Sequence, residues 1–290
     1  MRWFGKKRQL PFPPGEVGSG IGLALSGGAA RGMAHIGVLK ALQENHIEIG
    51  FLSGTSIGAL VAALYAFGIS LEDIRRKAEE LSWSSISSLK ISRSGLLSNQ
   101  EIGELVEGFI GSANIEDATL PLAIVTTDIA SGKKVILRSG NVARAVRAST
   151  SVPGIFVPVK INEKLLVDGF LVENLPLSPL REMGATILVG VNLARLKEYR
   201  EPSGMINIIL NAFDIAIDAN TLLNIEEADV VITPRPSEIS LLESARPAAF
   251  YEEGYRAAAL AIPEIRKTIR RSQRQGFASA WQRIKGFFSR

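Results

Sequence analysis

The 290-residue chain contains no cysteine and only two histidines, His35 and His46. The lack of cysteine excludes a disulfide framework, a thiol nucleophile and a thiolate metal site. Two histidines are too few for a histidine-rich metal site, so we expect neither a metal nor another cofactor. The chain also opens without the apolar stretch of a secretory signal, because residues 1–14 are basic and aromatic. This pattern predicts a cytoplasmic location.

Net positive charge is confined to the two ends of the chain. Residues 1–14 hold four basic residues and no acidic one, and residues 264–290 hold eight basic residues against one glutamate. Since the whole chain carries a net charge of +4, the body between the two ends is acidic. An acidic body argues against nucleic acid as a partner. The basic ends suit either an anionic membrane surface, which would make the protein peripheral to the inner face, or plain solvation.

The pattern of the chain predicts one α/β domain over residues 17–263, between a basic N-terminal arm, residues 1–16, and a basic amphipathic C-terminal helix, residues 264–290. Short apolar runs alternate with helical segments along the body, which favours a largely parallel sheet covered on both faces. The aromatic and aliphatic residues near one face of the C-terminal helix are Phe277, Trp281, Ile284 and Phe288. Such a helix either lies in a membrane interface or docks on its own domain.

A motif in the first third of the body carries the strongest chemical signal. Gly54-Thr55-Ser56-Ile57-Gly58 matches the pattern G-x-S-x-G, between an apolar run at residues 47–52 and a run of helix formers at residues 59–67. A serine on such a strand–turn–helix connection presents its hydroxyl at the edge of a sheet, over a helix N-terminus. Gly54 and Gly58 leave room for the sharp turn and for a substrate. We therefore predict Ser56 as a nucleophile; the alternative is an ordinary glycine-serine helix cap.

A second glycine-rich segment, Gly27-Gly28-Ala29-Ala30-Arg31-Gly32, lies between a predicted strand at residues 21–25 and a predicted helix at residues 31–45. Free N–H groups at a helix N-terminus bind anions, here either a nucleotide phosphate or the oxyanion of an acyl-transfer intermediate. The loop lacks the Lys-Ser/Thr of a P-loop and the spacing G-x-G-x-x-G. Because a candidate nucleophile follows it in the chain, we predict an oxyanion hole rather than a nucleotide site.

The base that would activate the serine is not a histidine in the usual order of an α/β-hydrolase, because both histidines precede Ser56. His35 lies on the helix after the glycine loop, where a packing or supporting role suits it better. A carboxylate or a lysine is then required. Asp168 ends an apolar strand, Asp128 occupies a similar position, and burial at such a strand end raises a carboxyl pKa and makes it a stronger base. The residues alone leave both aspartates as candidates.

Taken together in this order, four segments resemble the patatin-like phospholipase family, especially its bacterial members and the catalytic domain related to neuropathy target esterase. They are the Gly27-Gly28-Ala29-Ala30-Arg31-Gly32 loop, the G-x-S-x-G motif, residues 149–158 and Asp168-Gly169. The resemblance implies a three-layer α/β/α fold and a Ser-Asp dyad that works without histidine. It makes Ser56 the nucleophile and Asp168 the base.

The same resemblance assigns the backbone of Gly27, Gly28 and Ala29 to the oxyanion hole, with Arg31 and Gly32 supporting the loop. Two residues depart from the family's pattern. Ala29 stands where the family usually has a third glycine, and its N–H can still donate if its φ is below zero. Phe170 stands where the family has a glycine or alanine, and we expect this ring to narrow or line the pocket.

These observations predict a serine hydrolase that cleaves lipid carboxylic esters, of phospholipids or lysophospholipids, without a cofactor. The alternative from another class is a patatin-like module that binds lipid or a protein partner without turnover. A nucleotide-binding α/β protein is the third possibility. The serine-rich segment at residues 82–97 is either a lid over an apolar pocket or a plain surface loop.

Overall fold

The computed structural model describes residues 20–80, 97–193, 201–202, 204–235 and 247–288. The predicted N-terminal arm and residues 82–96 of the possible lid lie outside these ranges. The strands are β1 (Ile21–Leu25), β2 (Phe51–Thr55), β3 (Leu122–Asp128), β4 (Lys133–Leu137), β5 (Val159–Ile161), β6 (Lys164–Asp168), β7 (Ile187–Val191) and β8 (Val230–Ile232). The helices are α1 (Met33–Glu44), α2 (Ile57–Ala66), α3 (Leu71–Glu80), α4 (Gln100–Ile110), α5 (Val142–Ser149), α6 (Phe170–Glu173), α7 (Ser178–Glu182), α8 (Gly204–Ile225) and α9 (Pro247–Phe288).

A parallel sheet forms the centre of the molecule. Strands β3, β2, β1, β7 and β8 are hydrogen-bonded in that order, and each runs parallel to its neighbour. Parallel strands are normally covered by helices on both faces, and all residues of β1, β3 and β7 are buried. The predicted α/β fold with a largely parallel sheet is therefore confirmed.

Alternate residues of β1 divide between two hydrophobic cores. Leu23 and Leu25 belong to the larger core, with residues of α1, α2 and α9. Ala24 belongs to a smaller core with residues of α7, and Ile225 at the end of α8 packs against it. Since successive side chains of a strand point to opposite faces, the two cores lie on opposite sides of the sheet. The domain is a three-layer α/β/α sandwich.

Strand β3 brings the ends of two other strands together. Its residues 122–125 pair with β2 in parallel and its residues 126–128 pair with β6 in antiparallel fashion, whereas β4 pairs with residues 124–128. Because a residue pairs with one strand on each edge, β4 occupies one edge of β3, and β2 and β6 share the other. The last residues of β2 and β6, Thr55 and Asp168, therefore meet end to end beside β3.

Strands β5 and β6 form a hairpin that leads to Asp168. Its two turn residues, Asn162 and Glu163, have φ values of 48° and 60°. Asparagine tolerates this left-handed backbone, but glutamate is an unusual residue there. Only one of the two turn residues, Asn162, is therefore typical of a tight hairpin turn. For this reason the sequence does not clearly indicate that the chain reverses direction here.

Strand β2 begins four residues later than the apolar run at residues 47–52 predicted. The second half of β2, residues 53–55, has polar side chains that are nevertheless buried. Their hydroxyl groups donate hydrogen bonds to main-chain carbonyls at the end of α6 and in the connection to α7. Ser53 Oγ donates to Pro176 O at 2.5 Å, and Thr55 Oγ1 donates to Glu173 O at 2.9 Å. Hydrophobicity alone does not reveal a strand whose polar groups are satisfied in this way.

The C-terminal helix α9 runs across the predicted boundary between residues 263 and 264. Ile262 and Ile265 are buried, and Arg266 donates a hydrogen bond to Asn45 O. The first turns of the predicted tail therefore pack on the domain, while the division of the chain at residue 263 stays a prediction. The side chains of residues 275–288 lie outside the described part. No helix in the described part of the chain is both long enough and apolar enough to cross a bilayer.

Two glycines allow α9 to lie directly on α1. A Cβ atom on Gly37 would lie 2.0 Å from Tyr251 O, and one on Gly254 would lie 2.0 Å from Ala34 O. Both obstacles are backbone atoms of the opposite helix, which cannot rotate away as a side chain can. The two helix backbones therefore touch where each helix lacks a side chain.

We expect Gly37→Ala to lower the free energy of unfolding by about 1–3 kcal/mol, the usual cost of overpacking. The matched control is Gly108→Ala in α4, where an added Cβ meets nothing within 4 Å. That change should be neutral or stabilise the protein by up to about 1 kcal/mol, because alanine is the better helix former. Urea denaturation measures both, and equal effects at the two positions would contradict the close contact of α1 and α9.

Candidate active site

Ser56 lies on the turn between β2 and α2, as the G-x-S-x-G motif predicted. Its backbone angles are φ 55° and ψ −126°, a conformation that costs a non-glycine residue on the order of 1–3 kcal/mol. A Cβ on Gly54 would lie 2.5 Å from Ala59 Cα, and one on Gly58 would lie 2.2 Å from Leu25 O. The turn therefore needs both glycines, and it holds the serine hydroxyl at the carboxyl edge of the sheet.

Ser149, at the end of α5, ties this strained turn to the sheet. The Ser56 N–H donates to Ser149 Oγ at 2.9 Å, and Ser149 Oγ donates to Val125 O at 2.7 Å. Val125 is the β3 residue paired with the last residue of β2. The Ser149 hydroxyl thus bridges the Ser56 backbone to β3 beyond the point where the ladder to β2 ends. No sequence pattern pointed to this residue separately from the matched segment at residues 149–158.

Asp168 is fully buried, and its Oδ2 accepts a hydrogen bond from Ser56 Oγ at 2.6 Å. Burial raises the pKa of Asp168 to about 7, although hydrogen bonds from Ser56 and from the N–H groups of Phe170 and Gly169 oppose the shift. Its other oxygen, Oδ1, accepts from the Phe170 N–H at 3.1 Å. The carboxyl group is therefore directed at the serine hydroxyl, and its pKa suits a general base near neutral pH.

Asp128, the competing candidate, is a turn residue. Its carboxylate accepts hydrogen bonds from Ser131 Oγ at 2.7 Å and from the Ala130 N–H at 3.2 Å. The Ser131 hydrogen bond is the main reason that the pKa of Asp128 is lowered. Asp128 and Asp168 both end strands, but β6 runs antiparallel to β3, so Asp128 pairs with Leu166 and Asp168 pairs with Thr126. Of the two aspartates, Asp168 meets Ser56.

The glycine loop lies beside Ser56, since a Cβ on Gly27 would lie 3.3 Å from Ser56 Cβ. The Gly27 N–H already donates to Asn174, at 3.1 Å to Oδ1 and 3.3 Å to the main-chain oxygen. Within the described ranges, no group accepts a hydrogen bond from the N–H of Gly28 or Ala29. The Gly27 N–H therefore has partners within the protein, and the oxyanion hole of Gly27, Gly28 and Ala29 stays a prediction.

Side chains fix the orientation of each peptide group in this loop. The carbonyl oxygen of Gly28 accepts from both the N–H and the Nε of Arg31, at 3.1 Å each. In a trans peptide the N–H points opposite to the C=O, so Arg31 fixes the direction of the Ala29 N–H. In the same way Ser26 Oγ donates to Gly27 O at 3.0 Å and fixes the Gly28 N–H. Both available donors are thus oriented before any anion binds.

Gly32 and Ala29 determine how the loop packs and what backbone conformation it adopts. A Cβ on Gly32 would lie 2.3 Å from Ile57 Cγ1, so the absence of a side chain at Gly32 lets the loop approach the residue after Ser56. Ala29 has a φ of 50°, so the condition of a φ below zero, stated for this residue above, is not met. An L-residue adopts this left-handed backbone at a cost of about 1–2 kcal/mol, but its N–H is retained as a donor.

His35 contacts the residue before the glycine loop, which agrees with the packing or supporting role predicted for it. It is fully buried, and its Nε2 lies 2.8 Å from Ser26 O. Burial lowers the pKa of His35 to about 4, so the ring is neutral at pH 7. Because a carbonyl oxygen only accepts hydrogen bonds, Nε2 carries the proton. In the described part of the chain, no three histidine, aspartate or glutamate side chains are grouped to bind a metal ion.

Phe170 and Asn174 connect the site to α8. Phe170 is buried, and its ring packs against that of Phe213 with centroids 5.8 Å apart. Asn174 accepts from the Gly27 N–H and donates through Nδ2 to Thr221 Oγ1 at 3.2 Å. That the Phe170 ring narrows or lines a pocket stays a prediction. The sequence did not point to Asn174, because an asparagine six residues after an aspartate has no distinguishing local pattern.

Comparison with known proteins places these residues in a family. The family model described as "Patatin-like phospholipase" matches residues 23–181, which include both Ser56 and Asp168. An uncharacterized NTE family protein of Mycobacterium tuberculosis is 32% identical over an alignment of 273 residues, covering 85% of this chain and 47% of that protein. The Lysophospholipase NTE1 of Yarrowia lipolytica is 34% identical over 187 residues, covering 62% of this chain and 13% of that protein. The chain thus spans half or less of these relatives.

Solved structures with a similar fold are more distant in sequence. VipD from Legionella pneumophila has a TM-score of 0.51 at 15% identity, covering 82% of this chain and 65% of that one. ExoU from the type III secretion system of Pseudomonas aeruginosa, in complex with SpcU, has a TM-score of 0.50 at 16% identity, covering 84% of this chain and 52% of that one. At this level of identity the likeness concerns the fold.

We expect Ala29→Gly to leave the free energy of unfolding unchanged or to raise it by up to about 1 kcal/mol. Glycine relieves the left-handed strain, while its greater freedom in the unfolded chain offsets part of the gain. The same substitution at Ala212, an exposed position inside α8, should lower stability by about 1 kcal/mol. Denaturant titration of both variants is the test; an equal loss at Ala29 would show that its backbone is not strained.

Proposed function

The chain belongs to the patatin-like phospholipase family, and on this premise we propose that it is a serine hydrolase that cleaves carboxylic esters of phospholipids or lysophospholipids. The observation that carries the proposal is the 2.6 Å hydrogen bond from Ser56 Oγ to the buried Oδ2 of Asp168. A base of suitable pKa, a nucleophile held by backbone strain and two oriented N–H donors lie together. A relative named as a lysophospholipase supports the substrate class.

In the first half of the reaction, Asp168 Oδ2 takes the proton of Ser56 as Oγ attacks the ester carbonyl carbon. The negative charge that develops on the carbonyl oxygen is stabilised by the N–H groups of Gly28 and Ala29. When the tetrahedral intermediate collapses, the bond to the alcohol oxygen breaks and Asp168 returns the proton to that oxygen. The acyl group remains on Ser56 as an ester.

In the second half, a water molecule attacks the acyl ester while Asp168 takes one of its protons. The same two N–H groups stabilise the second oxyanion. Collapse breaks the bond to Ser56 Oγ, which recovers its proton from Asp168, and the carboxylic acid leaves. One carboxyl group therefore serves as base and acid in both halves, which requires that neither of its protonation states be strongly favoured. A pKa of about 7 meets that requirement.

Labelling with a fluorophosphonate probe tests the dyad, because such a probe modifies an activated serine. We expect the wild-type protein to be labelled and Ser56→Ala to be unlabelled, and Asp168→Asn to lose about 100- to 10,000-fold in rate, as for the removal of a general base. Asp128→Asn is the matched control, because this aspartate is engaged in the β3–β4 turn, and it should label normally.

Two outcomes would contradict the dyad. Labelling of Ser56→Ala at the wild-type rate would place the nucleophile elsewhere, and normal labelling of Asp168→Asn would assign the base to another group. No labelling of the wild-type protein, with or without lipid vesicles, would favour the alternative of a binding module without turnover. An assay of lysophospholipid hydrolysis, in which the released fatty acid is measured, tests the same variants on the proposed substrate.

The raised pKa of Asp168 predicts the pH dependence of the reaction. The protonated carboxyl group cannot accept the serine proton, so kcat/KM should rise about tenfold per pH unit on the acidic side and level off above a midpoint near 7. Asp128→Asn should leave the midpoint unchanged. A profile that is already level above the ordinary aspartate pKa of about 3.9 would mean that Asp168 is not the desolvated base.

A further inference from the structure

An ordinary surface helix turns its polar side to solvent, whereas helix α8 turns an apolar side outward. Between residues 208 and 222, the exposed side chains are all apolar: Ile208, Ile209, Ala212, Ile215, Ala216, Ala219 and Leu222. The polar and acidic side chains of the same stretch are half-buried or buried: Asn211, Asp214, Asp218, Asn220 and Thr221. Its outer face therefore offers neither a charge nor a side-chain hydrogen-bonding group among its described residues.

Three of the four large exposed residues described on this face form a row, which we call the apolar stripe: Ile208, Ile215 and Leu222. They follow one another at intervals of seven residues, so they lie one above the other along the helix, and they are 55%, 52% and 54% exposed. Ala212 and Ala219 lie between them on the same side. Isolated exposed aliphatic residues are common on protein surfaces, but a contiguous row marks a surface that binds something apolar.

The inner face of α8 holds the residues that follow the catalytic aspartate. Asn220 Nδ2 donates to Val172 O at 3.1 Å, and Thr221 Oγ1 accepts from Asn174 Nδ2 at 3.2 Å. Phe213 packs on Phe170, whose N–H binds Asp168. Asn220 and Thr221 therefore face the residues that follow Asp168 and supply them with hydrogen-bond partners. The apolar stripe is the outer surface of the helix that packs on these residues.

We propose that the apolar stripe of α8 binds the lipid surface from which the active site takes its substrate. The proposal rests on the proposed function, since the stripe would bring the active site to the lipid aggregate that contains its phospholipid substrate. The absence of polar groups from the exposed described residues favours lipid over protein, because protein interfaces carry hydrogen bonds at regular intervals. A helix lying in a membrane interface buries an uncharged apolar face of this kind.

The stripe differs from the basic C-terminal segment in the lipid that it requires. Attraction between basic residues and an anionic surface weakens as salt is added. An uncharged stripe should instead bind neutral phosphatidylcholine vesicles, and binding should persist at high salt. Neutral vesicles at high salt therefore isolate the contribution of α8.

The test is flotation with phosphatidylcholine vesicles at high salt, comparing the wild-type protein with the triple variant Ile208→Glu, Ile215→Glu and Leu222→Glu. We expect the variant to bind at least about tenfold more weakly, because three charges replace apolar area that the lipid would bury. The control is Leu260→Glu: Leu260 is 69% exposed on α9, on the opposite side of the sheet, and this change should leave binding unaltered. Because all four positions are already exposed, the variants should fold.

Hydrolysis of a short-chain, monomeric ester separates this proposal from the proposed function. The triple variant should cleave the monomeric ester at the wild-type rate and vesicle lipid at least about tenfold more slowly. Failure of the wild-type protein to cleave either substrate would refute the proposed function, while the flotation comparison would still decide the stripe. Unchanged flotation of the triple variant would overturn the stripe as a lipid-binding surface.

Two further results would also overturn it by identifying another occupant. A triple variant that changes from dimer to monomer in solution, with unchanged flotation, would assign the stripe to a second copy of the chain. A triple variant with a lower melting temperature and lower activity on the monomeric ester would show that another part of the same chain covers the stripe. Weaker flotation with an unchanged melting temperature and oligomeric state supports the lipid surface.

Discussion

The hydrogen bond between Ser56 and Asp168 depends on an end-to-end meeting of two strands on one edge of β3. Strand β2 brings Ser56 to this point from one direction, and β6 brings Asp168 from the other. The Ser149 hydroxyl bridges Ser56 to β3 where the ladder to β2 stops. Because the meeting point lies inside the sandwich, Asp168 is fully desolvated, and its pKa rises as a consequence of the same topology.

Orientation of the glycine loop depends on side chains from three parts of the chain. Arg31 holds the Gly28 carbonyl, His35 holds the Ser26 carbonyl, and Asn174 binds the Gly27 N–H. Donors that are oriented before reaction need no reorganisation when charge develops, which is the main way that enzymes stabilise an oxyanion. Asn174 also bonds to α8, so the helix with the apolar stripe and the loop with the proposed donors share one buried hydrogen-bonded connection.

The sequence predicted local features well, because each is encoded by neighbouring residues. Ser56 on a strand–turn–helix connection, the glycine loop beside it and the parallel α/β sheet were all read from patterns of a few residues. Residue patterns alone could not choose between Asp168 and Asp128, since both aspartates end strands and their positions depend on the antiparallel direction of β6. Only the family resemblance favoured Asp168. The sequence also could not show that the Gly27 N–H donates a hydrogen bond within the protein, because its partner, Asn174, is 147 positions away along the chain.

The sequence by itself thus determined which chemical groups are present and the local backbone that carries Ser56. Only the tertiary structure showed that the Asp168 carboxyl group lies against Ser56 and that Asn174 binds the Gly27 N–H. It also showed that α9 packs on the domain beyond residue 263 and that α8 turns its apolar side outward. The physical reason is that hydrogen bonding, burial and pKa depend on neighbours in space. The hydrophobic pattern of α8 would suit a buried helix equally well, and only its packing exposes the stripe.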